Sequence, residues 1–120
     1  NGETRVVMKL PQVLAPIKAC VMPLVRKDGL PEKAREIMNA LKFDFKCAYD
    51  EKDSIGKRYR RQDAIGTPFC ITIDHDTLVD NCVTVRYRDT MQQERVSIDS
   101  LHHLIGEAVS MKNLFKQIVD

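Results

Sequence analysis

The sequence lacks the features that most readily mark a membrane protein or a nucleotide-hydrolysing enzyme. No run of apolar residues approaches the roughly 20 that a helix needs to span a bilayer. Gly56 and Gly66 are ten positions apart, and the chain contains neither GxGxxG nor GxxxxGK followed by serine or threonine. We therefore expect no membrane partner, and a nucleotide-hydrolysing or dehydrogenase function loses its main support.

Cysteines are few and widely spaced. Cys20, Cys47, Cys70 and Cys82 are separated by 27, 23 and 12 positions, so no pair has the CxxC spacing of a zinc site. Each has strand-forming neighbours, among which a free thiol behaves as a small apolar core residue. We expect no metal site, and reduced thiols favour a cytoplasmic protein.

The three histidines do not form a catalytic group. His102 and His103 are adjacent on a predicted helix and cannot both face one point, while His75 is flanked by Asp74 and Asp76 in a predicted loop. We interpret His75 as a surface-loop residue and predict no catalytic residue in the chain.

What the sequence does contain is enough apolar material for one domain. At 120 residues and 43% apolar content, the chain is long enough to bury a core without disulfide or metal support. It starts at Asn1 without an initiator methionine, which we interpret as the start of a fragment. Residues 1–120 are thus expected to form a single domain of a longer protein.

Apolar patterning predicts alternating strands and helices. A helix beginning near Pro31 has apolar residues at helical spacing, and a second helix lies between a cap at Asp53 or Ser54 and a stop at Gly66. A third helix follows a cap at Ser97 or Asp99. Strands are predicted at residues 17–25, 43–49, 67–73, 81–88 and 94–97, with a short additional strand at 5–10 and a terminal helix at 111–119.

The order of these elements indicates how the strands pair. The first strand, helix and second strand form a unit that usually pairs in parallel through a right-handed crossover. The third and fourth strands are joined by a short loop, 74–80, and are expected to be antiparallel neighbours. The predicted fold class is therefore α/β, a mixed and mostly parallel sheet with helices packed against it.

Positive charge is concentrated in the second predicted helix. Lys57, Arg58, Arg60 and Arg61 lie within five residues, and without them the chain has 15 basic against 17 acidic side chains. Concentrated charge of one sign steers a polyanion to one face. The alternative is that these residues are the solvated face of an amphipathic helix, although acidic residues that could pair with them inside the helix are scarce.

The fourth predicted strand carries a second candidate site. Alternation places Arg86 and Arg88 on the opposite face from Val83 and Val85, and Asp89 follows directly. An arginine and an acid together can recognise base edges, the acid accepting a hydrogen bond from a cytosine amino group. The alternative, that both arginines are ordinary solvated surface, remains about equally favoured.

Residues 53–69, DSIGKRYRRQDAIGTPF, resemble a known family, the C-terminal anticodon-binding domain of the dimeric, eukaryote-like type of glycyl-tRNA synthetase. LAPIK at 14–18 and VRYRDTM at 85–91 are similar to that family as well, and the resemblance covers about residues 5–109. It implies a mixed sheet of five strands with three main helices, appended to a class II catalytic domain that forms an adenylate from glycine and ATP with Mg²⁺.

The resemblance also implies a partner, the anticodon loop of tRNA(Gly), whose anticodons share cytosine at their second and third positions. These 120 residues contain no class II active-site motif, so the chain is expected to bind tRNA without charging it. The parent is expected to dimerise through its catalytic part, and the fragment to be a monomer.

Roles within the domain follow from charge and strand alternation. We expect contacts to phosphates or to the loop from Lys57, Arg58 and Arg61, and base readout from Arg86, Arg88 and Asp89. Asp63 is expected to make a structural pair or cap. The predicted RNA-binding residues are Lys57, Arg58, Arg61, Arg86, Arg88 and Asp89.

Other functions remain open. The same fold serves in related class II synthetases and as a protein-interaction or processivity module, and a small redox or nucleotide-binding α/β domain is conceivable from the topology. An interaction module would need a protein partner over Arg86 and Arg88. A redox or nucleotide-binding domain would need a reactive thiol or a phosphate loop.

Overall fold

The computed structural model of the protein describes residues 17–108, which form one sheet with helices on both of its faces. The predicted strand at 5–10 and the predicted helix at 111–119 lie outside these residues. The strands are β1 (Ala19–Pro23), β2 (Cys47–Tyr49), β3 (Phe69–Ile73), β4 (Cys82–Tyr87) and β5 (Gln93–Ser97). The helices are α1 (Leu30–Leu41), α2 (Ile55–Ile65), α3 (Thr77–Asp80) and α4 (Leu101–Ala108), the last preceded by a 3₁₀ turn.

The strand order across the sheet is β2-β1-β3-β4-β5. Strand β1 pairs in parallel with β2 and β3, whereas β4 pairs antiparallel with β3 and β5. The predicted mixed five-stranded sheet is confirmed, but it is not mostly parallel, because two of its four pairings are antiparallel. Long helical crossovers allow β1, β2 and β3 to run in parallel, and the short connections on either side of β4 force it to reverse.

Helix α1 begins where the backbone and the sequence both favour a helix. Gly29 precedes it with a positive φ of 79°, a conformation in which glycine has no steric penalty, and Pro31 occupies the first turn. The predicted apolar stripe is confirmed, because Leu30, Ala34 and Ile37 are buried against the sheet. The turn after the helix leaves Phe43 exposed, which is why β2 starts later than predicted.

Two apolar clusters cover opposite faces of the sheet. The larger cluster lies between the sheet and helices α1 and α4. The smaller one consists of Cys20, Met22 and Cys70, with Ile55 and Tyr59 of α2 packed against it. Helices α1 and α2 therefore lie on opposite faces, an arrangement that separates the loops leaving β1 and β2.

The buried cysteines behave as core residues, as predicted for Cys20 and Cys70. Burial raises the pKa of Cys20 well above its usual range and raises the pKa of Cys70 to about 12. Cys47 is half-buried, and burial raises its pKa to about 11. These three thiols are therefore uncharged near neutral pH and poorly nucleophilic.

The connection between β3 and β4 includes α3, a single helical turn that the sequence patterning did not predict. Thr77 and Asp74 close this turn through hydrogen bonds in both directions. His75 is exposed in the loop, with its Nε2 2.9 Å from Asp28 Oδ2, so its interpretation as a surface-loop residue is confirmed. Within residues 17–108, no helix is long and apolar enough to cross a membrane.

Candidate nucleic-acid interface

Helix α2, which carries the four clustered cations, has the predicted start and end. The Ser54 side chain caps its first turn by accepting a hydrogen bond from the Lys57 amide, and Gly66 ends it with a positive φ of 82°. Lys57 and Arg60 are exposed, and neither side chain has an acidic partner within the described part of the chain. Two of the four cations thus face solvent without an acidic partner among residues 17–108.

Arg58 points into the fold instead. Only 3% of the residue is exposed, and its guanidinium donates hydrogen bonds to the backbone carbonyls of Pro23, Glu51, Lys52 and Asp53. The expectation that Arg58 belongs to a solvent-facing phosphate contact does not fit this position. Its role in the described structure is to fasten the loop between β2 and α2 to the end of β1.

Arg61 is partly neutralised by the loop that precedes its helix. Its side chain is 41% exposed and pairs with Asp50 and, at 2.7 Å, with Asp53. The Asp50 carboxylate and the hydrogen bonds to both acids raise the pKa of Arg61 above its usual range. Acidic residues are scarce inside α2, but Arg61 pairs with two that precede the helix, Asp53 and Asp50, which lie eight and eleven positions before it in the chain.

Arg86 is buried and cannot contribute an exposed base-reading group in this conformation. Its guanidinium donates to both carboxylate oxygens of Asp63, at 2.8 and 3.1 Å, and lies 4.7 Å from the centre of the Tyr59 ring. The prediction of an exposed strand face is therefore wrong, because α2 covers the face on which alternation places Arg86. The predicted structural pair of Asp63 is confirmed.

Arg88 is buried at the carboxyl end of α2. Its guanidinium donates to the carbonyl of Gly66 at 2.6 Å and to the carboxylate of Asp89 at 2.9 Å. The arginine thereby fixes the turn between α2 and β3, while the Asp89 side chain remains half-exposed. Arg88 and Asp89 are in contact, as their predicted joint role requires, but only the acid reaches solvent.

The predicted residues thus fall into two groups along α2. Lys57 and Arg58 lie in the amino-terminal half of the helix, and Arg58 and Arg61 contact the loop before it. Arg86 and Arg88 contact its carboxyl-terminal half. The structure does not assemble them into one contact surface.

A cleft that the sequence reasoning missed lies at the carboxyl end of β2. Its volume is about 440 Å³, and α1, α2 and the loop after β2 all contribute to it. The Arg35 guanidinium lies 4.9 Å from the centre of the Tyr49 ring, and the Tyr49 hydroxyl donates to Glu51 at 2.7 Å. The lining residues are Arg35, Tyr49, Asp50, Glu51, Lys52, Arg61 and Gln62.

One signal could have located this cleft. In an open sheet, ligands bind beyond the carboxyl ends of neighbouring strands whose connections pass to opposite faces. Here those strands are β1 and β2, since α1 and α2 cover opposite faces. Predicting the cleft from the sequence would have required knowing that the connection from β2 through α2 passes β1 to reach β3.

Comparison with protein families agrees with this architecture, because residues 18–108 match the anticodon binding domain. The chain belongs to that family. The match covers almost all of the described residues, and it confirms the resemblance seen in the sequence. The α/β fold class predicted from the order of the elements is confirmed as well.

Curated relatives of the chain include glycine–tRNA ligases. The chain is 59% identical over 103 residues to the enzyme of Rhodopirellula baltica, covering 84% of the chain and 19% of that protein. It is 53% identical over 108 residues to the enzyme of Thermobifida fusca, covering 90% of the chain and 23% of that protein. The chain therefore spans about a fifth of the length of these relatives.

A solved structure shares the fold. The RNA-binding domain of threonyl-tRNA synthetase from Cryptosporidium parvum superposes with a TM-score of 0.74 at 26% identity, covering 83% of the chain and 25% of that protein. An anticodon-binding family and a synthetase RNA-binding neighbour together indicate tRNA as the class of partner.

Proposed function

We propose that the chain is the anticodon-binding domain of a glycine–tRNA ligase and binds the anticodon loop of tRNA(Gly). Identity of 53 to 59% to glycine–tRNA ligases, against 26% to a threonyl enzyme, supports glycine over related synthetases. The parent would join glycine to tRNA(Gly) with ATP and Mg²⁺ in a catalytic domain that this sequence does not include. We further propose a cytoplasmic parent that dimerises through its catalytic part, with this domain monomeric.

The observation that carries this proposal for the chain itself is the exposed charge at the start of α2. Lys52, Lys57 and Arg60 are exposed, and Arg61 is partly exposed, around the first two turns of that helix. The helix dipole adds positive potential at the same end. Such a surface binds phosphates of a single-stranded loop and lets its unpaired bases reach neighbouring groups.

The buried arginines have a supporting role in this proposal. Arg58 and Arg88 fix the loops at the two ends of α2, and Arg86 joins that helix to β4. They therefore position the surface that contacts RNA. Asp89, half-exposed and paired with Arg88, keeps its predicted role as an acceptor for a base amino group.

The test is a titration of the 120-residue chain with the anticodon stem-loop of a glycine tRNA. Replacing both shared cytosines by uracil should weaken binding at matched salt, because each base that is specifically read contributes to affinity. The double variant Lys57→Ala/Arg60→Ala should weaken binding of both RNAs and reduce the salt slope by about 0.7 for each phosphate that is no longer neutralised.

Lys42→Ala is the matched control. Lys42 is exposed after the last turn of α1, next to the amino end of β2 and thus away from the proposed surface. Its replacement should leave both the affinity and the salt slope unchanged. Equal affinity for the two stem-loops would contradict anticodon recognition, and an equal effect of the control and the double variant would contradict the proposed surface.

A further inference from the structure

The loop that joins β1 to α1, residues 24–29, carries exposed positive charge apart from the surface at the start of α2. Its Arg26 and Lys27 are both exposed, and neither side chain has an acidic partner within residues 17–108. Buried arginines elsewhere in the domain fasten loops and helices together, but these two cations make no such contact in the described fold. Their charge is therefore available to a partner.

The backbone on both sides of these cations is ordered. At the start of the loop, the Leu24 amide donates to the Ile73 carbonyl at 2.8 Å, which keeps the chain next to β3. At its end, Asp28 and Gly29 have positive φ values of 61° and 79°, and aspartate and glycine are among the residues that adopt this conformation most readily. The loop thus holds its two cations at the carboxyl end of β1.

One buried guanidinium connects this end of β1 to the loop before α2. Arg58 donates to the carbonyl of Pro23 and to those of Glu51 and Lys52. Arg26 follows Pro23 by three residues, so their Cα atoms are at most about 11 Å apart. From here the chain continues into α1 on one face of the sheet, whereas α2 covers the other face. The two basic segments therefore flank the same end of the sheet.

The acidic residue within the loop does not neutralise its cations. Residues 24–29 contain one acid, Asp28, and its Oδ2 atom lies 2.9 Å from His75 Nε2, in the loop after β3. Exposed arginine and lysine side chains without an ion pair are the groups that neutralise nucleic-acid phosphates. Such contacts fix the position of the nucleic acid without reading its sequence.

We propose that Arg26 and Lys27 bind phosphates of the base-paired stem that closes the anticodon loop, a proposal that rests on the function proposed above. Unpaired nucleotides held at the start of α2 lead directly into that stem. The next exposed cations along this end of the sheet then meet its phosphates, on the side where α1 lies. Arg26 and Lys27 accordingly contribute to affinity for the stem-loop and not to the choice of cytosine.

The experiment titrates the 120-residue chain with two RNAs that share the same loop sequence, one closed by its stem and the other a single strand of the loop nucleotides alone. Arg26→Ala/Lys27→Ala should lower the salt slope of stem-loop binding by about 0.7–0.9 for each phosphate that is no longer neutralised. At about 50 mM salt it should weaken stem-loop binding about 10-fold or more, and this difference should narrow about 10-fold by about 200 mM.

Two further comparisons make the result specific. The same variant should bind the single strand as tightly as a charge-matched control, Lys42→Ala/Lys46→Ala, which removes two exposed cations before the amino end of β2. It should also keep the preference of the original chain for a cytosine over a uracil stem-loop. Urea unfolding of both double variants, measured in parallel, separates weaker binding from loss of fold.

Each outcome decides between the alternatives. If Arg26→Ala/Lys27→Ala binds the stem-loop as the control does, the two cations are solvated surface charges and the proposal is wrong. If it weakens the single strand as much as the stem-loop, the cations contact the unpaired loop and the stem assignment is wrong. Absence of any cytosine preference in the original chain would instead contradict the function proposed above.

Discussion

Asp63 and Arg86 form a buried ion pair that links α2 to β4, with two hydrogen bonds of 2.8 and 3.1 Å between the carboxylate and the guanidinium. The hydrogen bonds to Asp63 raise the pKa of Arg86 above its usual range. The Tyr59 ring lies against the same guanidinium, and its hydroxyl is 3.0 Å from Thr72 Oγ1. These contacts identify Arg86 as a structural residue of the domain.

Removing one partner of this pair should destabilise the fold strongly. Asp63→Ala leaves a buried guanidinium without its carboxylate, and we expect the free energy of unfolding to fall by about 3–5 kcal/mol. The double variant Asp63→Ala/Arg86→Met should recover part of that stability, because it removes the uncompensated charge. Urea unfolding of the single and double variants measures both effects, and a single variant as stable as the original chain would contradict a structural pair.

The Arg58 guanidinium should resist replacement by lysine. A lysine ammonium is compact and cannot contact at once all the carbonyls that the planar guanidinium reaches after β1 and β2. Arg58→Lys should lower stability by about 1–3 kcal/mol and also weaken binding of the anticodon stem-loop, because the loop before α2 is less firmly held. Urea unfolding and RNA titration provide the two readouts.

Arg60→Lys is the matched variant for that substitution, since Arg60 is exposed two positions further along α2. Its stability should stay within about 0.5 kcal/mol of the original chain. If both arginines tolerate lysine equally, the carbonyl contacts of Arg58 do not hold the loop.

Acid pH should weaken the contact between β5 and the end of β3. Burial acts to raise the pKa of Asp74, but hydrogen bonds from Arg95 and Thr77 outweigh it and hold that pKa below its usual range. A carboxyl group whose pKa is lower in the folded than in the unfolded chain stabilises the fold above its unfolded pKa, about 3.9. That contribution disappears as the pH falls from about 4 through the lower folded pKa.

Asp74→Asn should therefore be less stable than the original chain near pH 7, and the difference should shrink below about pH 4. Urea unfolding of both chains across this pH range measures the trend. A stability difference that is constant with pH, or that grows in acid, would contradict a lowered pKa of Asp74.

Thiol labelling should distinguish buried from accessible cysteines. Cys20 and Cys70 are buried and their pKa values are raised, so a thiol reagent at pH 8 should modify them only after unfolding. Cys82 is half-buried and should react earlier in the native chain. Mass spectrometry of native and urea-treated samples identifies the modified residues, and rapid native labelling of Cys70 would show that α2 does not cover the sheet as described.

The sequence predicted the order of the elements because its signals are local. Ser54 and Gly66 mark the ends of α2, and the spacing of Leu30, Ala34 and Ile37 marks the buried side of α1. Strand alternation likewise assigned Arg86 to the correct face of β4. Alternation does not reveal, however, whether a helix covers that face, and the partner that buries Arg86 is 23 residues away.

The cleft could not be located from local sequence signals, for a related reason. Arg35, Tyr49 and Arg61 come from three different elements, and none belongs to a local pattern that would indicate a shared site. The charge cluster at residues 57–61 correctly indicated the region, but local charge does not show which cations face solvent. Two of its four members, Lys57 and Arg60, face solvent without an acidic partner in the described chain.

The most direct test of the proposed function is the affinity of the 120-residue chain for two anticodon stem-loops at matched salt, one with both shared cytosines and one with uracil in their place. Recognition of the glycine anticodon predicts that the dissociation constant rises by about 10-fold or more when the cytosines are replaced. Equal dissociation constants for the two RNAs would contradict it.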